Sequence, residues 1–193
     1  VKRPFMVILG GSKVADKILL IKRLVLRADY ILIGGAMCFT FLAAQRHAVG
    51  ESIVDKKHLT FARRMLATGR IILPRDIVVT DGTRTKKVLA TEIPTGWSGR
   101  DIGPKTIREW TRHINSARTT FWNGPLGQYE DKRFAKGTYD IARIMAKSKG
   151  FRCIGGGDSE DVINALGLAK KFDHVSTGGG AALEYLSGKK LPG

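Results

Sequence analysis

The chain alternates between short apolar runs and longer segments in which apolar residues recur at helical spacing. We interpret the short runs as strands: Phe5–Leu9, Tyr30–Ile33, 71–73, 77–80, 88–90, 119–122, 151–154 and His174–Ser176. The periodic segments predict helices over 18–27, 37–45, 56–68, Pro104–Ser116, 135–148 and 181–187. Because strands that alternate with helices usually form a parallel sheet, the sequence predicts an α/β protein. We expect a Rossmann-like three-layer fold, in which a mainly parallel sheet carries helices on both faces.

Residues 93–104, IPTGWSGRDIGP, interrupt this alternation. The segment is rich in turn-forming residues, so we expect an ordered loop that is packed under Trp97. No low-complexity segment or internal boundary divides the chain. We therefore expect residues 1–193 to form a single domain.

The most informative stretch is 151–166, FRCIGGGDSEDVINAL, where a predicted strand passes through a glycine turn into a helix. Gly156 and Gly157 allow the tight turn, and Asp158 or Ser159 is expected to cap the helix. The amide N–H groups and the positive end of the helix dipole would stabilise a phosphate there. Since an ionised carboxylate repels a bare phosphate, Asp158 suits a magnesium ion that arrives with one.

Two lysines follow another glycine turn, at the end of the first predicted strand. Lys13 and Lys17 are either surface charges near a helix cap or ligands for a phosphate at the carboxyl edge of the sheet. Gly34 and Gly35, after the second strand, indicate close backbone approach, either to a neighbouring element or to a flat ligand such as an adenine ring.

A glycine-proline loop follows the strand at 119–122. Asn123, Pro125 and Glu130 could hold a nucleoside there, with apolar atoms against the base and the carboxylate accepting from ribose hydroxyls. The alternative is a tight turn with a helix-capping Glu130.

Composition limits the class of protein and the partners that the chain could have. With 193 residues and 43% hydrophobic content, the chain can bury one α/β core, and no apolar run is long enough to cross a membrane. Two cysteines and four histidines show no disulfide framework or metal-ligand spacing, so we expect a reducing compartment and no zinc. The 33 Lys and Arg against 17 Asp and Glu give a net charge of +16. Binding of nucleic acid follows as a possibility, but without a recognition motif or stacking aromatics a solvated basic face is favoured.

Six blocks together resemble the nucleotide-binding, C-terminal half of phosphoglycerate kinase. They are GGSKVADK (10–17), IGGAM (33–37), DIGP (101–104), FWNGPLGQYE (121–130), IGGGDS (154–159) and HVSTGGGAALE (174–184). Their order and spacing match the family across nearly the whole chain, which a single glycine loop would not establish. The resemblance implies a cytoplasmic domain that binds Mg-ADP or Mg-ATP, while a separate N-terminal domain binds the phosphoglycerate.

The resemblance also implies residue roles. Lys13 matches the lysine that neutralises charge on the transferring phosphoryl group, and Lys17 matches one that binds the nucleotide phosphates. Asp158 matches the magnesium-associated carboxylate, with the Ser159 hydroxyl beside it. The remaining matches are the phosphoryl-facing loop of Gly178, Gly179 and Gly180, the ribose-binding Glu130 with Asn123 and Pro125 beside the nucleoside, and the adenine slot of Gly34, Gly35, Gly99 and Gln128.

The chain also departs from the family pattern. The N-terminal half is missing, residue 36 is Ala where a third glycine is frequent, and Gln128 stands where an apolar residue often contacts adenine. We expect a domain that binds Mg-nucleotide alone and completes phosphoryl transfer only with an N-terminal domain, in a longer parent chain or in trans. The alternative is a catalytically idle copy used as a structural or nucleic-acid-associated subunit, which the missing half and the charge of +16 motivate.

Overall fold

The computed structural model describes residues 1–176. The helices predicted around 18–27, 37–45, 56–68, 104–116 and 135–148 are present, and the strands predicted outside the segment 93–104 all form. The elements are β1 (Phe5–Leu9), α1 (Ile18–Leu24), β2 (Tyr30–Ile33), α2 (Met37–Ala44), β3 (Ala48–Val49), α3 (Leu59–Leu66), β4 (Ile71–Ile72), β5 (Asp76–Thr80), β6 (Thr85–Leu89), β7 (Glu92–Ile93), β8 (Ser98–Ile102), α4 (Pro104–Ser116), β9 (Thr119–Asn123), α5 (Lys136–Lys147), β10 (Phe151–Gly155), α6 (Gly157–Ala165) and β11 (His174–Ser176). The helix predicted over 181–187 lies outside the described residues.

Six parallel strands form the main sheet, in the order β11-β10-β9-β1-β2-β4. Alternate residues of β1 enter different cores, because successive side chains of a strand point to opposite faces. Val7 packs with residues of α1 and α2 on one face, and Ile8 packs with residues of α4 and α5 on the other. Helices therefore cover both faces, which confirms the predicted three-layer α/β fold.

The interpretation of residues 93–104 as a loop is wrong. The segment contains the end of β7 and the whole of β8, which pairs antiparallel with β5 in a second sheet of order β6-β5-β8. Glycines and a proline concealed the strand, because they are turn formers in isolation. Trp97 packs partly buried against the core, and the cationic side chains of Arg84 and Lys86 lie over its ring.

Two buried carboxylates join this small sheet to the helices. Asp76 accepts hydrogen bonds from the backbone N–H groups of Lys105 (3.0 Å) and Thr106 (2.7 Å), so it caps α4 from another element. Asp101 on β8 accepts from the N–H of Gly137 at 2.7 Å, in the first turn of α5. These bonds fix β8 beside the carboxyl edge of the main sheet.

Among residues 1–176, no helix is both long and apolar enough to span a bilayer.

Candidate functional site

The candidate site lies at the carboxyl edge of the main sheet. Leu9, Asn123 and Gly155, the last residues of β1, β9 and β10, are in register. The chain leaves β1 towards β2 and β4, then returns to β9 on the other side of β1. The junction of β1 and β9 is therefore the switch point of the topology, where open α/β sheets place their ligands.

The loops that follow β1 and β9 lie against each other at this junction. The N–H of Gly10 donates to the carbonyl of Asn123 at 2.9 Å, and the N–H of Gly11 donates to that of Pro125 at 2.9 Å. A Cβ on Gly10 would lie 2.0 Å from the Pro125 carbonyl oxygen. Backbone contact between the loops therefore requires glycine at residue 10.

Gly34 and Gly35 pack in the same way against these loops. A Cβ on Gly34 would lie 2.7 Å from the Leu126 side chain, and one on Gly35 would lie 2.6 Å from the Gly11 backbone. Gly35 also has a φ of +62°, a conformation that favours glycine. Close approach to a neighbouring element accounts for both glycines.

A cleft of about 360 Å³ opens above these loops, and we call it the edge cleft. Five parts of the chain contribute to its walls besides Ile53. Its lining residues are Gly11 and Ser12 after β1, Gly35 and Ala36 after β2, Ile53, Ser98, Gly99 and Arg100 of β8, Pro125, Gly127, Gln128 and Glu130 after β9, and Asp158 of α6.

The structure brings many of the sequence-predicted residues together around the edge cleft. Six of them line it: Gly35, Gly99, Pro125, Gln128, Glu130 and Asp158. Gly34 is buried beside Leu126, and Lys13 is exposed next to the lining residue Ser12. Gly178, Gly179 and Gly180 lie outside the described residues.

Lys17 and Asn123 join the turn after β1 to the end of β9. The Lys17 ammonium donates to Asn123 Oδ1, and Asn123 Nδ2 donates to the Gly155 carbonyl at 2.6 Å. Burial lowers the pKa of Lys17 to about 8, while Asp158 and Asp16 act in the opposite direction. A partly buried ammonium near a carboxylate can neutralise a further anion, whose charge would in turn raise the pKa of Lys17.

The start of α6 differs from its prediction. Its N-cap is Gly156, which has φ +97° and no side chain that could cap the helix. Ser159 is instead fully buried, and its Oγ accepts from the N–H of Gly124 at 2.7 Å. The prediction that Asp158 or Ser159 caps the helix is therefore wrong, because Ser159 is used to hold the loop after β9.

The missing cap leaves α6 open to an anion. A helix has no internal acceptors for its first N–H groups, so those of α6 can donate to a ligand oxygen. A Cβ built on Gly157 meets no atom within 4 Å, so the space before the helix is open. Asp158 is exposed at this open end and lines the edge cleft.

Glu130 lines the edge cleft and does not cap a helix. The cap of the short helical turn Lys132–Phe134 is Asp131, which accepts from the N–H of Arg133. The alternative of a helix-capping Glu130 is therefore wrong.

A metal ion at this site depends on the donors that the chain offers. No group of three or more His, Cys, Asp or Glu that could hold a metal occurs among residues 1–176. The site offers the exposed carboxylate of Asp158 at the start of α6, near Lys17. This donor set suits a magnesium ion that takes its other ligands from phosphates and water.

Sequence reasoning missed Arg100 and Ile53 as lining residues. Arg100 lies within the segment that was interpreted as a loop, and Ile53 is 60% exposed in a segment without a motif. Neither residue carries a signal in the sequence, because the exposure of Ile53 and the position of Arg100 depend on the folded chain.

Fold and site together define an α/β protein with a cleft at the switch point of its main sheet. A family model described as phosphoglycerate kinase matches residues 1–189. The chain therefore belongs to the phosphoglycerate kinase family.

Individual relatives agree with this assignment. The chain is 50% identical over 198 residues to a phosphoglycerate kinase of Rubrobacter xylanophilus, with 100% of this chain and 50% of the relative covered. It is 48% identical to one of Frankia casuarinae, with 99% and 50% covered. The chain spans about half the length of the curated relatives it matches.

Two solved structures show the same fold. Phosphoglycerate kinase from Coxiella burnetii superposes with a TM-score of 0.93 at 32% identity, over 97% of this chain and 51% of that one. The enzyme from Pyrococcus horikoshii gives 0.88 at 28% identity, over 99% and 51%.

Proposed function

We propose that residues 1–193 are the C-terminal, nucleotide-binding half of a phosphoglycerate kinase, and that they bind Mg-ADP or Mg-ATP in the edge cleft. The observation that carries the proposal is a helix N-terminus at the edge cleft with a partly buried lysine near its first carboxylate. Asp158 lines the edge cleft, and its charge acts on Lys17. Both features favour a phosphate chain that carries a cation.

The phosphate end of the proposed site is built from the turns after β1 and β10. The N–H groups of Gly157, Asp158 and Ser159 at the start of α6 donate to phosphate oxygens, with Gly156 forming the turn. Lys17 adds positive charge from the opposite loop. Lys13 and the loop of Gly178, Gly179 and Gly180 are assigned to the transferring phosphoryl group on family resemblance.

The metal at this end is assigned to Asp158. Magnesium, when bound, neutralises charge on the β and γ phosphates and fixes their geometry. Exposure leaves the Asp158 carboxylate free to reach a phosphate-bound ion.

The nucleoside end is assigned to the opposite walls. Gly35 and Gly99 offer backbone surface for a flat base, and Ile53 adds an apolar side chain. Pro125 packs beside the nucleoside with Asn123 and Gly34 beneath it, and the Glu130 carboxylate accepts from ribose hydroxyls. Gln128 contacts the base edge.

Phosphoryl transfer between 1,3-bisphosphoglycerate and ADP requires positioning and charge stabilisation more than covalent work by the protein. No general base is required, since the acceptor is already an anionic oxygen. Donor and acceptor must be aligned, so we propose that transfer needs an N-terminal phosphoglycerate-binding domain, in cis or in trans, to close on this domain. The cytoplasm, the usual place of glycolysis, is the proposed location.

Membership of the family over residues 1–189 does not favour the alternative of an idle structural or nucleic-acid-associated subunit. The charge of +16 and a length of about half that of the curated relatives remain as its motivation.

The proposal is tested by joining the chain to an N-terminal half. The N-terminal half of the Rubrobacter xylanophilus relative is fused in front of residue 1, and ATP formation from ADP and 1,3-bisphosphoglycerate is followed. The isolated 193-residue chain should form no ATP, whereas the fusion should turn over. A folded fusion that binds phosphoglycerate but makes no ATP would contradict the proposal.

A further inference from the structure

Arg100 occupies a bulge in β8. On the facing strand β5, Val79 pairs with Gly99 and Val78 pairs with Asp101, so Arg100 has no partner in the ladder. Bulges redirect one side chain out of the regular alternation and are frequent beside functional sites. Here the redirected residue lines the edge cleft.

Two hydrogen bonds fix Arg100 to Gln128 on the neighbouring wall. The N–H of Gln128 donates to the Arg100 carbonyl at 2.8 Å, and Arg100 Nη1 donates to Gln128 Oε1 at 3.0 Å. A guanidinium group has no acceptor, so the Gln128 amide must turn its oxygen towards Arg100. The Gln128 NH₂ group is consequently left as a donor for other partners.

The pair therefore offers a ligand mainly donors. The Arg100 guanidinium and the Gln128 NH₂ group can only donate, and the Gln128 amide oxygen already accepts from Arg100 Nη1. A base edge that supplies acceptors is therefore the better match for this wall.

Purine bases differ in the acceptors that their edges present. Guanine and hypoxanthine present two adjacent acceptors, O6 and N7, which an arginine fork can bind together. Adenine presents an N6 amino donor beside N7, and this donor would face the donors of Arg100 and Gln128. A donor that meets a donor leaves both without a partner, which costs binding energy.

We propose that Arg100, oriented by Gln128, makes the base subsite of the edge cleft selective for 6-oxopurine nucleotides over adenine nucleotides. This inference rests on the proposed binding of nucleotides in the edge cleft. It names the substrate class within that site and departs from the adenine slot that the family resemblance implies.

Calorimetric titration of the 193-residue chain with ADP, GDP and IDP, each with magnesium, tests the proposal. GDP and IDP should bind roughly five- to tenfold more tightly than ADP. IDP isolates the O6 contact, because hypoxanthine lacks the 2-amino group of guanine. In Arg100→Leu the three dissociation constants should converge, whereas Arg143→Leu, which removes an exposed arginine of α5, should keep the preference.

The other outcomes would overturn the selectivity, the role of Arg100 or the nucleotide site itself. Equal affinities for the three nucleotides in the unsubstituted chain overturn the selectivity, and so does IDP that binds like ADP while GDP binds tightly. A preference that survives in Arg100→Leu overturns the role of Arg100. Failure of all three nucleotides to bind overturns the proposed nucleotide site itself.

Discussion

The Lys17 ammonium donates a hydrogen bond to Asn123 Oδ1, across the junction of β1 and β9. Asn123 is buried, and its amide nitrogen also donates to Gly155 at the end of β10. One asparagine side chain thus connects three turns at the carboxyl edge. It holds a cation at the edge of the sheet before any ligand is bound.

We expect Asn123→Ala to destabilise the fold. The Lys17 ammonium would lose its hydrogen-bond acceptor in a partly buried position, and such bonds to charged groups contribute about 1.5–3 kcal/mol. The free energy of unfolding, measured in urea, should fall by about that amount. Asn115→Ala, at an exposed position of α4, is the matched control and should have little effect. Equal stabilities for the two variants would refute this role of Asn123.

The contact between the loops after β1 and β9 gives a steric prediction. Gly10→Ala would place a methyl group 2.0 Å from the Pro125 carbonyl oxygen, and backbone cannot move aside as a flexible side chain can. We expect a loss of about 3 kcal/mol or more in the free energy of unfolding. Gly157→Ala meets open space and should leave the stability equal or slightly raised, because alanine favours the helix. Comparable losses in the free energy of unfolding of both variants would show that contact with Pro125 is not what requires glycine at residue 10.

Asp101 should make stability depend on pH. Burial raises its pKa to about 7 from 3.8, against the opposing effect of hydrogen bonds from Gly137 and Ile102. The folded state therefore holds a proton more tightly than the unfolded chain between about pH 4 and pH 7. The stability that Asp101 contributes is fully present below about pH 4, and it is lost as the pH rises through about 7.

Urea unfolding between pH 4 and pH 8 checks this prediction. In the unsubstituted chain, the free energy of unfolding should decline by an amount on the order of a few kcal/mol across this pH range. Asp101→Asn should remove this decline. Glu92→Gln, at an exposed position of β7, should keep the decline. Parallel pH profiles for Asp101→Asn and the unsubstituted chain would contradict the raised pKa of Asp101.

Lys13 is expected to act in transfer more than in binding. Its side chain is exposed beside the edge cleft, and we assign it to charge that develops on the moving phosphoryl group. In the fusion that carries an N-terminal half, Lys13→Ala should lower kcat by roughly a hundredfold and raise the KM for ADP much less. Lys22→Ala, at an exposed position of α1, should change neither constant. A rise in the KM for ADP with kcat unchanged would assign Lys13 to ground-state binding.

Several parts of the fold follow from the sequence for simple reasons. The run Phe5–Leu9 is apolar at every position, as expected for a strand with helices on both faces. Pro104 at the start of α4 and the helical spacing of Trp110 and Ile114 identify that helix with its bounds. Local pattern is sufficient in these cases, because burial and periodicity coincide.

Other parts depend on contacts that no local pattern contains. The strand β8 pairs with β5, and its Gly99 packs so closely against Phe39 that a Cβ would lie 2.1 Å from the ring. Ser159 leaves the cap of its own helix to accept from Gly124, a residue of a distant loop. The place of Arg100 depends on a bulge, which results from pairing between two strands. Long-range packing decides each of these features.

The central claim is that the edge cleft binds a nucleoside diphosphate through a magnesium ion held at Asp158. Calorimetric titration of the chain with ADP, with and without magnesium, tests it most directly. Micromolar to millimolar affinity should require magnesium, and Asp158→Asn should abolish that requirement together with the added affinity. Asp161→Asn, at an exposed position of the same helix, should bind as the unsubstituted chain does. No magnesium-dependent binding, or a dependence that Asp158→Asn leaves unchanged, would contradict the account.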